Sequence, residues 1–196
     1  MTTVAIVDYG AGNLGNARRA VAALAMPVVT VGDADALPPD GPVLLPGVGA
    51  HGAAMERLAQ GGLADALRAA AAEGRRLIGI CLGLQLLFDA SEESGGGAGL
   101  GILRGRVRKL RAAPLPLPHL GWCPVDPGGA AYYFAHSYCA EPADPAIVRG
   151  TAAWGERFPA VIEQGSVVGF QFHPERSGSA GLALLGRALR GERVTP

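Results

Sequence analysis

The sequence predicts an α/β fold, with an open, mostly parallel central sheet, helices on both faces and additional antiparallel strands. The first half alternates short apolar runs with helical patterns, and residues 3–8 show the continuous apolar run typical of a buried parallel strand. The second half changes to a series of strand patterns followed by a helical one. With 196 residues, 49% hydrophobic and 17% charged, we expect one globular domain over 1–196.

In the first half, capping residues and glycines divide the chain into elements. Asn13 is a candidate N-cap for a helix extending to about residue 25. Gly61 and Gly62 separate two helices, and Gly74 ends the second. We predict strands at 3–8, 27–31, 42–45 and 77–80, and helices at 13–25, 53–59, 63–72 and 83–88.

The second half is predicted to be mostly strands. Residues 94–101 are rich in glycine and favour a surface loop, and 112–118, with three prolines, favour a loop inside the domain. We predict strands at 102–110, 122–125, 131–138, 147–151, 160–163 and 167–172, and a final helix at 179–190.

A cysteine follows the strand at 77–80 in a Gly-x-Cys-x-Gly pattern. This is the thiol form of the nucleophile elbow, a tight strand-to-helix turn that exposes a nucleophile at its tip. Gly79 and Gly83 let neighbouring chain approach the turn, and the helix that follows Cys81 favours thiolate over thiol. The pattern therefore favours a nucleophile over a buried structural cysteine.

A histidine and a glutamate follow the last predicted strand. A cysteine nucleophile needs a base, and the base needs an orienting group. Pro174 biases His173 toward an extended conformation, in which residues two apart point to the same side. We therefore expect Glu175 to hold the ring of His173, although the alternative is a histidine in a turn beside a solvated glutamate.

The strand at 42–45 leads into a glycine-rich turn, which is a candidate oxyanion hole. Acyl transfer needs backbone N–H donors aimed at the developing negative oxygen. We expect these donors from Leu82, the residue after the nucleophile, and from Val48 and Gly49. Taken alone, this segment is more typical of an ordinary strand-to-helix turn.

In this order, Cys81, His173 and Glu175 resemble the triad of the class I (triad) glutamine amidotransferases. Within that family the chain is similar to the glutaminase subunits of imidazole glycerol phosphate synthases, enzymes of histidine biosynthesis. The resemblance covers almost the whole chain. It rests on VDYGAGNL at 7–14, LPGVG at 45–49, GICLGLQLLF at 79–88, PHLGW at 118–122, YFAHSY at 133–138 and GFQFHPE at 169–175.

The resemblance implies an activity, a partner and further site residues. It implies hydrolysis of glutamine through a thioester on Cys81, with no cofactor. It also implies a (β/α)8-barrel cyclase subunit that receives the ammonia and makes imidazole glycerol phosphate and aminoimidazole carboxamide ribonucleotide. The implied glutamine-binding residues are Gly49, Gln85, Glu93, Ser137 and Tyr138. The implied interface residues are His119, Trp122 and Arg176.

Several alternatives stay open at this point. They are the glutaminase of another synthase, such as pyridoxal phosphate synthase, a cysteine esterase or peptidase, and a non-catalytic subunit that scaffolds a cyclase. The spacings of His119, Cys123, His136 and Cys139 resemble structural zinc ligation, although we expect no metal. A net charge of +0 gives no argument for nucleic acid or membrane partners, and three cysteines with no signal peptide predict the cytoplasm.

Overall fold

The computed structural model describes residues 2–196, and its first half alternates strands and helices as predicted. Most bounds differ from the predicted ones by only one or two residues. The elements are β1 (Val4–Val7), α1 (Leu14–Ala23), β2 (Val28–Val31), β3 (Val43–Leu45), α2 (His51–Gln60), α3 (Leu63–Ala72), β4 (Leu77–Ile80) and α4 (Leu82–Leu86).

The second half is mostly strands and ends in a helix. The elements are β5 (Phe88–Ser91), β6 (Gly97–Ala98), β7 (Leu103–Lys109), β8 (His119–Val125), β9 (Ala130–His136), β10 (Tyr138–Pro142), β11 (Val148–Trp154), β12 (Glu156–Gln164), β13 (Val167–Phe170) and α5 (Gly178–Leu189). Short 3-10 turns lie at Glu93–Gly95, Pro145–Ile147 and Pro174–Arg176.

A seven-stranded mixed sheet in the order β11-β12-β13-β4-β3-β1-β2 forms the centre of the fold. The five strands from β13 to β2 run parallel to one another, while β12 and β11 add antiparallel strands at one edge. This arrangement confirms the predicted open, mostly parallel sheet with additional antiparallel strands.

Helices cover both faces of this sheet, as the pattern predicted. In β1, Val4 and Ile6 pack in one core cluster with buried residues of α1 and α5. Ala5 and Val7 point the other way and pack with α2 and α3. The continuous apolar run of β1 is therefore explained by burial on both sides. Within residues 2–196, none of the helices has the length and apolarity needed to cross a bilayer.

Two smaller sheets were not predicted from the sequence. The predicted strand 131–138 is wrong because the chain breaks at Ser137: β9 pairs with β8, whereas β10 pairs with β7. The predicted elbow helix ends early because Phe88 begins β5, which pairs with β7. Residues 94–101 are not only a loop, since β6 lies within them and pairs with β5.

The topology brings three chain segments to one edge of the main sheet. β4 lies between β3 and β13, and all three strands run parallel. The segments that follow them contain, in turn, the glycine-rich turn after Leu45, then Cys81, then His173. The carboxyl edge of neighbouring parallel strands is where open α/β sheets bind ligands.

Candidate active site

Cys81 lies at the tip of a sharp turn between β4 and α4. Its backbone has φ 53° and ψ −109°, a conformation that few residues other than glycine adopt. The side chain is 6% exposed. A non-glycine residue with positive φ directly after a central strand is the geometry that the nucleophile elbow requires.

The glycines on both sides of the cysteine are needed because the turn is crowded. A Cβ at Gly79 would lie 2.7 Å from the Gly83 carbonyl oxygen. A Cβ at Gly83 would overlap the carbonyl oxygen of Leu45. The two glycines therefore allow α4 to pack directly against the ends of β3 and β4.

His173 is paired with Glu175 through the contact that their spacing predicted. The distance from His173 Nδ1 to Glu175 Oε1 is 2.9 Å, and both side chains are buried. The backbone of His173 is also fixed, because its N–H donates to Tyr133 at 2.9 Å and its carbonyl accepts from the Ser177 hydroxyl at 2.6 Å. With Nδ1 occupied by Glu175, Nε2 is the ring atom left for proton transfer.

Opposing effects act on the charge of His173. Burial lowers its pKa, but interactions with the sulfur of Cys81 and the carboxylate of Glu175 raise it more, to about 10. The ring is therefore an imidazolium at neutral pH when the sulfur is a thiolate. This is the charge state that a proton donor to a leaving amine needs.

Most of the predicted site residues line one cavity of about 370 Å³. A cavity of this volume suits a small ligand. Its predicted members are Val48, Gly49, Cys81, Leu82, Gln85, Glu93, Ser137, Tyr138, His173, Glu175 and Arg176. Asn13, Pro118, Ala135 and His136 also line it and were not predicted as site residues. The side chain of Asn13 also makes the predicted cap of α1, since its Oδ1 accepts from the Asn16 N–H at 3.2 Å.

A buried tyrosine, Tyr9, anchors the glycine-rich turn through a hydrogen bond. The hydroxyl of Tyr9 donates to the Pro46 carbonyl at 3.0 Å, and burial together with the nearby Cys81 sulfur raises the pKa of this phenol. A Cβ at Gly47 would lie 2.5 Å from the same hydroxyl. Val48 and Gly49 are exposed above this anchor, and Gly49 has φ 101°.

Glu93 is not simply a solvated loop carboxylate. Its Oε2 accepts the backbone N–H of His51, the first residue of α2, at 2.7 Å. This bond satisfies a free donor at the helix start and fixes the carboxylate beside the cavity.

A buried pair of glutamines lies behind the nucleophile. Gln85 Nε2 donates to the Tyr138 carbonyl at 2.8 Å and to Gln171 Oε1 at 3.2 Å. Gln171 Nε2 in turn lies 3.9 Å from the sulfur of Cys81. Sequence reasoning missed Gln171, although a lone amide inside the apolar run of 167–172 was an available signal.

His119 does not lie on the surface, where an interface residue is expected. His119 is fully buried, and its ring stacks between Phe134 and Trp154 at centroid distances of 4.8 and 4.4 Å. Side chains alternate along β8, so its neighbours on the strand point outward instead: Leu120 and Trp122 are 62% and 58% exposed.

Trp122 and Arg176 do lie on the surface, and both contact Tyr133. The Trp122 ring packs edge-on against Tyr133 at 6.1 Å, and the Arg176 guanidinium lies 4.1 Å from the centre of the same ring. We call Leu120, Trp122, Tyr133 and Arg176 the aromatic face. Arg176 also lines the cavity, so the aromatic face adjoins the candidate active site.

The four residues with zinc-like spacing do not gather around a common point. Within residues 2–196, no group of three or more His, Cys, Asp or Glu side chains is placed to share a metal ion. His119 and His136 bond to each other at 3.2 Å, whereas the thiol of Cys123 donates to the Ala153 carbonyl.

The fold and the cavity define a class of protein, and comparison with known proteins agrees. The model of the family "Glutamine amidotransferase class-I" matches residues 5–187. A solved structure titled "Crystal structure of glutamine amidotransferase" superposes with a TM-score of 0.78 at 20% identity, covering 95% of this chain and 98% of that one. The chain belongs to the class I glutamine amidotransferases, and its activity is that of a glutamine amidotransferase.

Curated relatives identify a particular branch of this family. The imidazole glycerol phosphate synthase subunit HisH of Moorella thermoacetica is 43% identical, covering 94% of this chain and 93% of the relative. HisH of Synechococcus elongatus is 45% identical, covering 93% and 90%. At this similarity the chain is a member of the HisH family, whose members are named as subunits of a larger synthase.

Proposed function

We propose that Cys81, His173 and Glu175 are the catalytic triad of a glutaminase that supplies ammonia to the cyclase subunit of an imidazole glycerol phosphate synthase. One observation carries the proposal: a cysteine on a strained elbow and a buried His173–Glu175 pair line the same cavity. A subunit with only a scaffolding role needs none of these three side chains.

The first step is attack of the Cys81 thiolate on the side-chain amide carbon of glutamine. The carbonyl oxygen becomes an oxyanion. We propose that it is stabilised by backbone donors at Leu82 and at Val48 or Gly49, which line the cavity. Loss of one such donor raises a barrier of this kind by about 3 kcal/mol.

The second step is loss of ammonia. The imidazolium of His173 gives its Nε2 proton to the amide nitrogen, the C–N bond breaks, and a glutamyl thioester remains on Cys81. Glu175 keeps Nδ1 protonated and the ring in place through the 2.9 Å contact.

The third step is hydrolysis of the thioester. Water attacks the acyl carbon and gives its proton to Nε2 of His173, which is neutral after the second step. Collapse of the intermediate breaks the C–S bond, releases glutamate and restores the pair of thiolate and imidazolium.

Glutamine is recognised by its charged end, farthest from the reacting amide. We propose that Glu93 binds the α-ammonium group, since it is a carboxylate fixed at the cavity edge. Gln85, Ser137, Tyr138 and the backbone of Gly49 line the same cavity and complete the proposed site.

The partner is proposed to be a (β/α)8-barrel cyclase that docks on the aromatic face. Exposed tryptophan and arginine side chains are common centres of binding energy in protein interfaces. Because Arg176 belongs both to this face and to the cavity, a docked cyclase lies next to the point where ammonia forms. The cyclase would use that ammonia to make imidazole glycerol phosphate and aminoimidazole carboxamide ribonucleotide.

We propose that the partner also activates the glutaminase. Gly49 has φ 101°, and a Cβ built on it would meet no atom within 4 Å, so its peptide can turn at little cost. We assign the reaction to the cytoplasm because the nucleophile has to stay a reduced thiol.

The decisive experiment measures glutamate release from glutamine, with and without a barrel cyclase and its ribonucleotide substrate. We expect strong activation by the partner in the wild type and none in Cys81→Ala. Cys123→Ala is the matched control, because Cys123 is buried outside the cavity and its loss should leave turnover unchanged.

The outcome separates the proposal from the alternatives. Rapid turnover by the lone chain, unaffected by the cyclase, would indicate a self-sufficient hydrolase. No glutamate release under any condition would indicate a scaffold, or a different amide or ester substrate, rather than a glutaminase.

A further inference from the structure

Gln171 lies at a position that the triad alone does not explain. It follows directly after β13, is fully buried, and its backbone N–H donates to the Ala160 carbonyl at 2.9 Å. Its amide contacts two groups of the candidate site, the sulfur of Cys81 and the amide of Gln85. An uncharged amide fully removed from water is costly unless its hydrogen bonds are made.

The directions of these hydrogen bonds follow from one backbone atom. The Tyr138 carbonyl can only accept, so Gln85 must present its NH2 group to it at 2.8 Å. The second hydrogen of that NH2 group then points to Gln171 at 3.2 Å, which must present its oxygen. The NH2 group of Gln171 is therefore directed at the Cys81 sulfur, 3.9 Å away.

The same carbonyl also accepts a hydrogen bond from His136, which is in turn paired with His119. His136 Nδ1 lies 2.8 Å from the Tyr138 carbonyl and therefore carries the hydrogen, which leaves its Nε2 as an acceptor. His119 Nδ1 donates to that Nε2 at 3.2 Å. The Tyr138 peptide thus receives two donors and is fixed in orientation, which in turn fixes the two glutamines.

We propose that Gln171 is a positioning residue of the glutaminase: its N–H group holds and stabilises the Cys81 thiolate, and its oxygen holds Gln85 against the substrate pocket. This inference rests on the proposed function, in which Cys81 attacks and Gln85 contacts glutamine. A donor directed at the sulfur favours the thiolate, because a hydrogen bond to a charged group is stronger than one to a neutral thiol.

Two substitutions separate the two contacts. Gln171→Glu, tested at pH 8, keeps an acceptor for Gln85 and, when its carboxyl is ionised, replaces the N–H donor with a negative charge that disfavours the thiolate. Gln171→Met fills a similar volume and removes both contacts. Gln164→Met is the matched control, because Gln164 ends β12 on the surface and does not line the cavity.

The first readout is the rate at which iodoacetamide alkylates Cys81, followed by mass spectrometry of its peptide. We expect this rate to fall about tenfold in both Gln171 variants and to stay unchanged in Gln164→Met. The second readout is steady-state glutaminase kinetics in the cyclase complex. We expect kcat to fall in both variants and KM for glutamine to rise only in Gln171→Met.

A purely structural role for Gln171 predicts a different result. Folded variants with lowered melting temperature but wild-type alkylation rate and unchanged KM would overturn the inference. If neither variant folds, the wild type still gives a test, because alkylation of Cys81 should shift the Gln171 side-chain amide signals in an NMR spectrum. Unshifted signals would contradict the contact.

The alkylation readout requires no glutamine turnover. A protein that fails to release glutamate but shows slowed alkylation in both variants would therefore reject the proposed function and retain the role of Gln171 at the sulfur. Normal glutamate release by the wild type, with unaltered alkylation in both variants, would retain the proposed function and reject the role of Gln171 at the sulfur.

Discussion

At the scale of single residues, Cys81 combines a strained backbone with a rigid support. Its positive φ is of a kind that costs about 1–3 kcal/mol, and such a conformation persists only where the surroundings enforce it. Here the enforcement comes from β4 in the centre of the sheet and from Gly79 and Gly83, which remove the side chains that would push the turn open.

Gly83→Ala tests this support. The added methyl group would overlap the Leu45 carbonyl oxygen, a backbone atom of the central sheet that cannot move aside cheaply. We expect a loss of about 3 kcal/mol or more in the free energy of unfolding, measured by urea denaturation, and loss of glutamate release. Gly52→Ala in α2 is the control: a Cβ there meets no atom within 4 Å, so we expect a gain of about 0.5–1 kcal/mol.

Glu175→Gln tests the charge of the His173–Glu175 pair. Loss of the carboxylate removes one of the causes that raise the pKa of His173 to about 10, so the pKa should fall, as followed by NMR of the imidazole nitrogens. Protonated His173 stabilises the fold fully below pH 6.5, and this contribution is lost as pH rises through about 10. The difference in free energy of unfolding between wild type and Glu175→Gln should therefore shrink between pH 6.5 and 10. We expect kcat to fall about 10²–10⁴-fold, and an unchanged His173 pKa would contradict the assignment.

At the scale of elements, the sequence predicts strands and helices that local patterns determine. It fails where the pairing of one strand with another sets the element's bounds. The apolar runs of β1, β3, β4 and β13 are evident because they are buried on both faces. The break at Ser137 is not, because residues 131–138 read as one strand pattern and only pairing with β8 on one side and β7 on the other divides them. The switch from helix to strand at Phe88 has the same cause.

The buried histidine pair makes the β8–β9 hairpin sensitive to acid. Burial lowers the pKa of His119 to about 4 and that of His136 to about 3, below the ordinary value of 6.5. As pH falls, the two histidines are protonated in the unfolded chain before they are protonated in the folded one. Their neutral forms therefore contribute to the free energy of unfolding above pH 6.5, and this contribution is lost as pH falls toward 3.

His119→Phe should weaken this dependence. A phenyl ring can stack between Phe134 and Trp154 but cannot be protonated. We expect the free energy of unfolding of the wild type to fall by up to about 3 kcal/mol more than that of the variant between pH 7 and pH 4. Urea unfolding across this range measures the difference, and identical pH profiles would show that His119 does not titrate with folding.

At the scale of the whole molecule, the site is assembled from segments far apart in the chain, and the sequence predicts only some of them. The motifs around Cys81 and His173 have a fixed local geometry. Contacts within each motif can therefore be predicted from the sequence. Gln171 and Tyr9 were missed as contributors because their contacts depend on the folded path of other segments. Of the residues proposed for an interface, Trp122 is exposed, whereas strand alternation turns His119 inward.

Trp122→Ala tests whether the aromatic face receives the cyclase. The side chain is 58% exposed and contacts Tyr133 edge-on, so its removal should cost the isolated chain less than about 0.5 kcal/mol. If Trp122 anchors the interface, affinity for the cyclase should fall about tenfold or more by isothermal titration calorimetry, and saturating cyclase should restore glutaminase turnover. Leu115→Ala is the matched control, since Leu115 is 40% exposed outside the cavity and the aromatic face.

Equal affinities for wild type and Trp122→Ala would place the docking surface elsewhere. Lost activation at saturation with unchanged affinity would instead assign Trp122 to signalling between the subunits, because binding and activation are separate terms in a coupled equilibrium.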